Sequence, residues 1–273
     1  MAGVIEHKFE LPSRTDSIHL IIFGDVHLGN AECDEKLVAK VAARLQAPNA
    51  YGIDLGDALE AINMRDPRFD LRSLPDWIGV EDLGDLPARQ IARYCEYFRP
   101  VADKLLCRLT GNHEDSLFRW YGRDVYAELN RELGIPPERC PGWWCFLRLR
   151  FTRLGKVNWT LTLFLHHGYG GGRLAGSKAL NLERLPMLAQ ADIYAMGHTH
   201  TKMVITKRQI RLPPRGKKIE EMPLILINVG SFLRSYSARD TYIERRLLYP
   251  QGLGPVELHI WPEQRKRIIK IIQ

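Results

Sequence analysis

The sequence predicts an α/β protein in which two β-sheets pack face to face with helices outside. Two observations carry this. Through the first half, short apolar, β-rich runs alternate with segments of helical periodicity. In the second half, strand-sized runs follow one another around short turns.

The elements follow in order. Ser17–Gly24 is a short apolar strand that turns sharply at Gly24-Asp25. Asp34–Leu45 carries Leu37, Val38, Val41, Ala42 and Leu45 at helical spacing. Tyr51–Leu55 is a second strand, ending at Gly56-Asp57, and Leu86–Phe98 is a helix. Lys104–Leu109 is a third strand, ending at Gly111-Asn112-His113. Phe118–Leu133 is helical until Gly134 and Pro136 stop it. Trp143–Phe151 and Val157–Leu165 form an antiparallel pair around Gly155-Lys156. Asp192–Met196 is a short strand, and Met203–Ile210 and Pro223–Val229 flank a basic loop. Tyr242–Leu248 and Val256–Trp261 are expected as closing strands.

No Pro/Gly/Ser-rich linker separates the halves, so residues 1–273 are expected to form one domain. Two segments have the character of insertions. Residues 64–85 are rich in Asp, Arg and Pro, with Phe69 and Trp77 as anchors, and suit either a surface loop or a lid. Residues 207–218 hold Lys207, Arg208, Arg211, Arg215, Lys217 and Lys218 with no acid, as a solvated hairpin tip does.

Composition narrows the class. At 45% hydrophobic and 26% charged, the 273-residue chain has the balance of a soluble globular protein. No apolar run approaches the roughly 18 residues that span a bilayer. Met1–Glu10 has acids and no long apolar core, so a signal peptide is not expected. Five cysteines, an odd number with no CxxC, argue against a disulfide scaffold and for a reducing, cytoplasmic setting. Cys140 and Cys145 suit packing thiols. Lys and Arg total 39 against 32 Asp and Glu, and this formal charge of +7 permits a polyanionic partner without establishing one.

Five polar clusters follow apolar strands. They are Gly24-Asp25-Val26-His27, Gly56-Asp57-Ala58-Leu59-Glu60, Gly111-Asn112-His113-Glu114, His166-His167-Gly168 and Gly197-His198-Thr199-His200. Six of the nine histidines lie in them, which concentrates metal-ligand chemistry at strand ends. Imidazole together with carboxylate favours divalent Mn, Fe, Zn, Co or Ni. No cysteine lies in the clusters, which argues against a structural thiolate zinc site. Asp-x-His and His-x-His are expected to place both side chains on one side of an extended segment. Each cluster alone is a weak signal; all five in this order are a strong one.

The order D-x-H, G-D-x-x-[DE], G-N-H-[DE], H-G, G-H-x-H resembles the calcineurin-like metallophosphoesterases over Gly24 to His200. That resemblance implies a four-layer α/β/β/α sandwich with two mixed sheets. It implies one metal held by Asp25, His27 and His200, another by Asn112, His167 and His198, and Asp57 as the bridge. His167 is preferred because the family ligand directly precedes the glycine, with His166 as the alternative. His113 would sit beside the substrate phosphate as a catalytic group, and Glu60 is expected to pair with it. The implied reaction is phosphoester hydrolysis by water activated between two divalent ions, manganese first among the candidates.

One departure bears on substrate. In the family's phosphoprotein phosphatases, the acid of the second motif is followed by an arginine that grips phosphate. Here Glu60 is followed by Ala61. Arg119, Arg123 and Arg173 are the candidates to replace it, and Gly170-Gly171-Gly172 to let backbone approach the site. The sequence reading thus favours a phosphodiester, with nucleotide or nucleic acid as the partner. Its alternatives are a phosphomonoesterase acting on a small molecule or phosphoprotein, and a non-catalytic binding protein on the same fold.

Overall fold

The computed structural model describes residues 3–212, 218–236, 244, 247, 249–250, 252–262 and 268–273. Eleven strands and five α-helices among these residues form two mixed sheets with helices on both outer faces. One sheet has five strands. Strand β2 (Ile18–Phe23) pairs in parallel with β3 (Ala50–Asp54), which pairs in parallel with β4 (Leu105–Arg108). On its other side β2 runs antiparallel to β10 (Val256–Trp261), which holds β11 (Ile268–Ile272) at the edge.

The six-stranded sheet orders β1 (Val4–Glu10), β5 (Trp144–Arg153), β6 (Lys156–His166), β7 (Ile193–Met196), β9 (Glu220–Asn228) and β8 (Met203–Arg211). The expected pair around Gly155 is β5 and β6, with Leu154 and Gly155 both at positive φ in the turn. Strand β1 was not anticipated; it pairs in parallel with β5 through a long-range register that no local pattern encodes. Strand β11 was also missed. All of the strand expected at Tyr242–Leu248 except Glu244 and Leu247, and the basic residues Arg215 and Lys217, lie outside the described residues.

Three hydrophobic layers hold the four structural ones. Leu20, Ile22, Ile53 and Leu258 from one sheet meet Leu147, Leu163, Ile193 and Ile227 from the other. The outer face of the five-stranded sheet, through Ile21 and Phe23, packs on α1 (Glu35–Leu45), α2 (Leu86–Phe98) and α4 (Val125–Leu133). The outer face of the six-stranded sheet, through Phe164, Tyr194 and Leu226, takes Leu182 and Leu185 of α5 (Ala175–Leu188). The expected α/β/β/α layering is therefore present.

The single helix expected over Phe118–Leu133 is two. Helix α3 (Asn112–Tyr121) stops at Gly122, which takes φ +67, and α4 begins after an Asp124 side-chain cap. Glycine supplies the left-handed turn that ends α3. Helix α3 also starts earlier than expected, so Asn112 and His113 lie in its first turn rather than in a loop.

Residues 64–85 fold as a strap with two short 3₁₀ turns along the flank of α1 and α2. The Trp77 ring lies between them, with the guanidinium carbons of Arg89 and Arg93 at 5.2 and 5.7 Å from its centroid. Its indole N–H donates to Glu35.

A candidate metal centre at the strand ends

The strand-end loops after β2, β3, β4, β6 and β7 converge on one place. Asp25 and His27 follow β2, Asp57 follows β3, Asn112 and His113 follow β4, His167 follows β6, and His198 and His200 follow β7. Asp25, His27 and His200 offer ligand atoms within 4.8 Å of one another. So do Asp57, His167 and His198, and so do His27, Asp57 and His113. The Asn112 side-chain oxygen completes the second group, 3.1 Å from His167 Nε2 and 2.8 Å from His198 Nδ1. Asp57 is common to two of the three groups: its Oδ2 lies 3.5 Å from His167 Nε2 and 3.9 Å from His27 Nε2.

The backbone here is not the extended segment expected from the D-x-H and H-x-H spacing. Asp25, His27, Asp57, His198 and His200 all adopt φ between +51 and +66. Residues in this left-handed region cost about 1–3 kcal/mol each and persist only where surrounding structure enforces them. Here hydrogen bonds do so. His198 N–H donates to both Asp25 oxygens at 3.0 and 2.8 Å, and His113 N–H donates to Asp57 Oδ1 at 2.9 Å. Gly111 has no room for a side chain, since a Cβ there would overlap the Asp57 carboxylate. That overlap is the physical demand behind the glycine of the third motif.

Other contacts set the imidazole tautomers. His167 Nδ1–H donates to Leu55 O at 2.8 Å, leaving Nε2 to face Asp57 and Asn112. His27 Nδ1 is 3.1 Å from Glu60 Oε2, leaving Nε2 toward His200 Nε2 at 3.1 Å. Outer partners that fix the second ring nitrogen in this way are a regular feature of metal-ligating histidines. His166 turns elsewhere: its Nδ1 accepts from Gly168 N–H at 2.8 Å.

Glu60 departs from expectation. Its carboxylate binds His27 Nδ1 at 3.1 Å and stays 4.0 Å from His113 Nδ1. His113 Nδ1 instead donates to the Glu60 backbone carbonyl at 2.5 Å. The motif spacing pairs Glu60 with His113 alone, and the loop geometry brings its side chain closer to His27.

Burial and charge set the protonation pattern. Burial alone would lower the His27 pKa, but Glu60, with Asp57 and Asp25, raises it to about 9. Burial is likewise overridden at His167, where Asp57 raises the pKa to about 10. Burial pushes Asp25 up to about 7. Burial also opposes ionisation of Asp57, but the surrounding imidazoles, His167 first, hold it well below the usual range. Burial lowers His113, and lowers His198 to about 4 with His167 adding to the effect. The cluster thus gathers carboxylates whose compensating charge, without a metal, comes from protons on His27 and His167. Its donor set, imidazole with carboxylate and one amide oxygen, fits a divalent cation of intermediate softness.

Four supporting residues have no role in the motif reading. Glu114 is buried and accepts N–H groups from Asp57, Leu59 and Gly111 at 3.2, 3.1 and 3.0 Å. Its position in the third motif was the available signal. Lys178 of α5 reaches the His198–His200 loop, donating to Thr199 O at 3.1 Å. Arg108 and Asp54 form a buried pair at 2.8 Å, and Asp54 Oδ1 accepts Gly56 N–H at 3.0 Å just before Asp57.

The arginine candidates fare differently. Arg119 pairs with Asp115 and Arg123 with Glu128 and Asp85. Among the basic residues of the 207–218 segment, Lys207 pairs with Glu183 at 2.6 Å and Arg208 with Glu221 at 2.7 Å. Among the described residues no helix is long and apolar enough to cross a membrane. The five cysteines are all free, with Cys107 and Cys145 sulfurs 3.5 Å apart between the sheets.

No family model and no curated protein matches the chain. Several solved structures share its outline. Yfce, a phosphoesterase from E. coli, is 20% identical with a TM-score of 0.40, covering 81% of this chain and 84% of its own. A predicted phosphoesterase from Streptococcus pneumoniae is 12% identical with a TM-score of 0.35, covering 94% and 88%. GAP50, the anchor in the inner membrane complex of Plasmodium, is 12% identical with a TM-score of 0.43, covering 94% and 84%. At these TM-scores the likenesses carry no argument about function, which rests on the residues themselves.

Proposed function

We propose that the chain is a metal-dependent phosphoesterase of the calcineurin-like metallophosphoesterase type, using two divalent ions and acting on phosphodiesters. The observation that carries this reading is the sharing of Asp57: its carboxylate stands between His27 on one side and His167 on the other. Asp25, His27 and His200 would hold one ion, Asn112, His167 and His198 the other, and Asp57 both. When bound, such a pair of ions activates water and clamps the attacking and leaving oxygens of an in-line displacement.

The remaining work falls to side chains. His113 is held by the Glu60 carbonyl through Nδ1, so Nε2 is the atom available to a phosphoryl oxygen or leaving group. To donate there the ring must carry a second proton on Nε2, which burial opposes and the charges of Asp57 and Glu60 favour. Asn112 supplies an uncharged oxygen and limits negative charge where a phosphate must sit.

Nucleotides or nucleic acids are the favoured substrates. The formal charge of +7 suits a polyanion. Aromatic rings also flank the centre. Trp143 lies 5.7 Å from the His167 ring, and Tyr169, two residues after His167, is 80% exposed. Exposed rings beside a phosphoester site offer stacking surfaces to bases. A reducing, cytoplasmic setting and Mn are the conditions we assign to it.

The test is a panel. Metal-stripped protein reloaded with Mn would be offered a bis-aryl phosphate, an aryl monophosphate, and single- and double-stranded DNA and RNA. Faster turnover of the diester and of at least one nucleic acid is expected. Hydrolysis of none of them would end the enzymatic reading, and preference for the monoester would end the diester one.

A further inference from the structure

The position after Glu60 cannot carry a phosphate-gripping arginine in this fold. Ala61 is fully buried, sits at φ +51, and donates its N–H to Gln90 Oε1 at 2.9 Å. A long charged side chain there would be buried without a partner. The strap supplies a substitute seven residues later.

Arg68 projects from the strap toward the first turn of α3. Its Nη2 is 3.4 Å from Ser116 Oγ, and that hydroxyl donates to the His113 carbonyl at 2.8 Å. Asp66 fixes the guanidinium by a fork, with Nε to Oδ1 at 3.0 Å and Nη2 to Oδ2 at 2.8 Å. The Arg68 backbone N–H also returns to Asp66 Oδ1 at 2.8 Å, so the turn itself is locked. Nη1 has no partner among the described residues, and the side chain is 46% exposed. Asp66 is the main cause that raises the Arg68 pKa, and the charges of Glu60 and Asp57 at the centre add to it. Asp66 in turn feels the charge of His113.

We propose that Arg68, oriented by Asp66, contacts a non-bridging oxygen of the phosphoryl group bound beside His113. This assignment rests on the phosphoesterase reading above. Arg68 brings Nη1, held in a fixed direction, to a phosphate oxygen, where it can make a charge-assisted hydrogen bond. Because Asp66 holds it before substrate arrives, little side-chain freedom is lost on binding. Asp66 is a positioning residue, acting through Arg68.

The experiment compares Mn-loaded wild type with Arg68→Ala, Arg68→Lys, Asp66→Asn and Arg72→Ala. Arg72 repeats the same fork with Asp70 at 3.0 and 2.8 Å but is 75% exposed, so it serves as a control for nearby positive charge. Two readouts are taken: kinetics on a bis-aryl phosphate, and calorimetric binding of inorganic phosphate. Arg68→Ala is expected to weaken phosphate binding and raise KM by about 10- to 100-fold, as loss of a charged hydrogen bond does, with metal content and melting temperature unchanged. Arg68→Lys recovers part of the affinity, Asp66→Asn shows a smaller loss than Arg68→Ala, and Arg72→Ala matches wild type. Phosphate affinity and KM of Arg68→Ala within twofold of wild type overturn the assignment, as do an equal loss in Arg72→Ala or no phosphate binding by wild type. If phosphate binding depends on Arg68 but no phosphoester is hydrolysed, the enzymatic reading falls and the arginine assignment stands.

Discussion

The Glu114 carboxylate accepts the backbone N–H of Asp57 at 3.2 Å, so a residue on α3 holds the loop that carries the central carboxylate. Two further N–H groups, from Leu59 and Gly111, end on the same side chain. Glu114→Gln would turn an amide N–H₂ toward one of these donors. We expect a loss of about 1–3 kcal/mol, from a buried donor left without an acceptor, and weaker metal binding of about 10-fold. Urea unfolding and metal titration check this; unchanged values in both would show that Glu114 is not what holds the loop.

Asp57→Asn and His113→Asn separate binding from chemistry. Asp57→Asn removes the shared carboxylate and is expected to reduce metal content below two ions per chain and kcat by at least about 100-fold. His113→Asn is expected to keep its metal and lose about 10²–10⁴-fold in kcat. Elemental analysis alongside steady-state kinetics distinguishes them. Full activity in either variant would refute its assigned role.

Metal affinity should depend on pH. In the metal-free protein, carboxylates raise His27 to about 9 and His167 to about 10 against the burial that lowers both. Both rings therefore carry a proton at neutral pH, and ligation requires it to leave. Affinity for Mn is expected to rise as pH increases from about 6 to 9, by about tenfold per unit for each proton released. The stability these raised values give the metal-free protein is present in full below the unfolded value of 6.5 and is lost as pH rises through 9 and 10. Calorimetry in buffers of different ionisation enthalpy measures the protons released; an affinity flat with pH would contradict the assignment.

The Arg108–Asp54 pair should be costly to break. Both side chains are buried, and Tyr94 OH also donates to Asp54 Oδ2 at 3.0 Å. Arg108→Met would leave Asp54 charged and without its cation. A loss of about 3–5 kcal/mol is expected, and Asp54→Asn in the same background should recover part of it. A single-variant loss below about 1 kcal/mol in chemical denaturation would show that the pair contributes little.

Much of the centre was legible because it is local. A β-rich run followed by glycine and a polar residue marks a strand end, and the loops after β2, β3, β4 and β7 carry that signature, while after β6 the glycine follows the histidines. What the local pattern missed has a physical reason in each case. Helix α5 buries only Lys178, Leu182 and Leu185 while exposing Leu180, Met187 and Leu188, so its apolar residues trace no clean stripe. Strand β1 alternates weakly and owes its place to pairing with β5, more than a hundred residues away.

The sequence by itself determined which donors exist and at which strand ends they stand. Only the tertiary structure decided which of them face one another. Glu60 turns to His27 rather than His113 because the loop after β3 and the left-handed residues around it set where each side chain points. Arg68 meets Ser116 of α3 across 48 residues of sequence, while Trp77 of the same strap is held against α1 and α2. Spacing along the chain specifies chemistry, whereas the distance between two side chains depends on sheet register and loop dihedrals, which are set by contacts far apart in sequence.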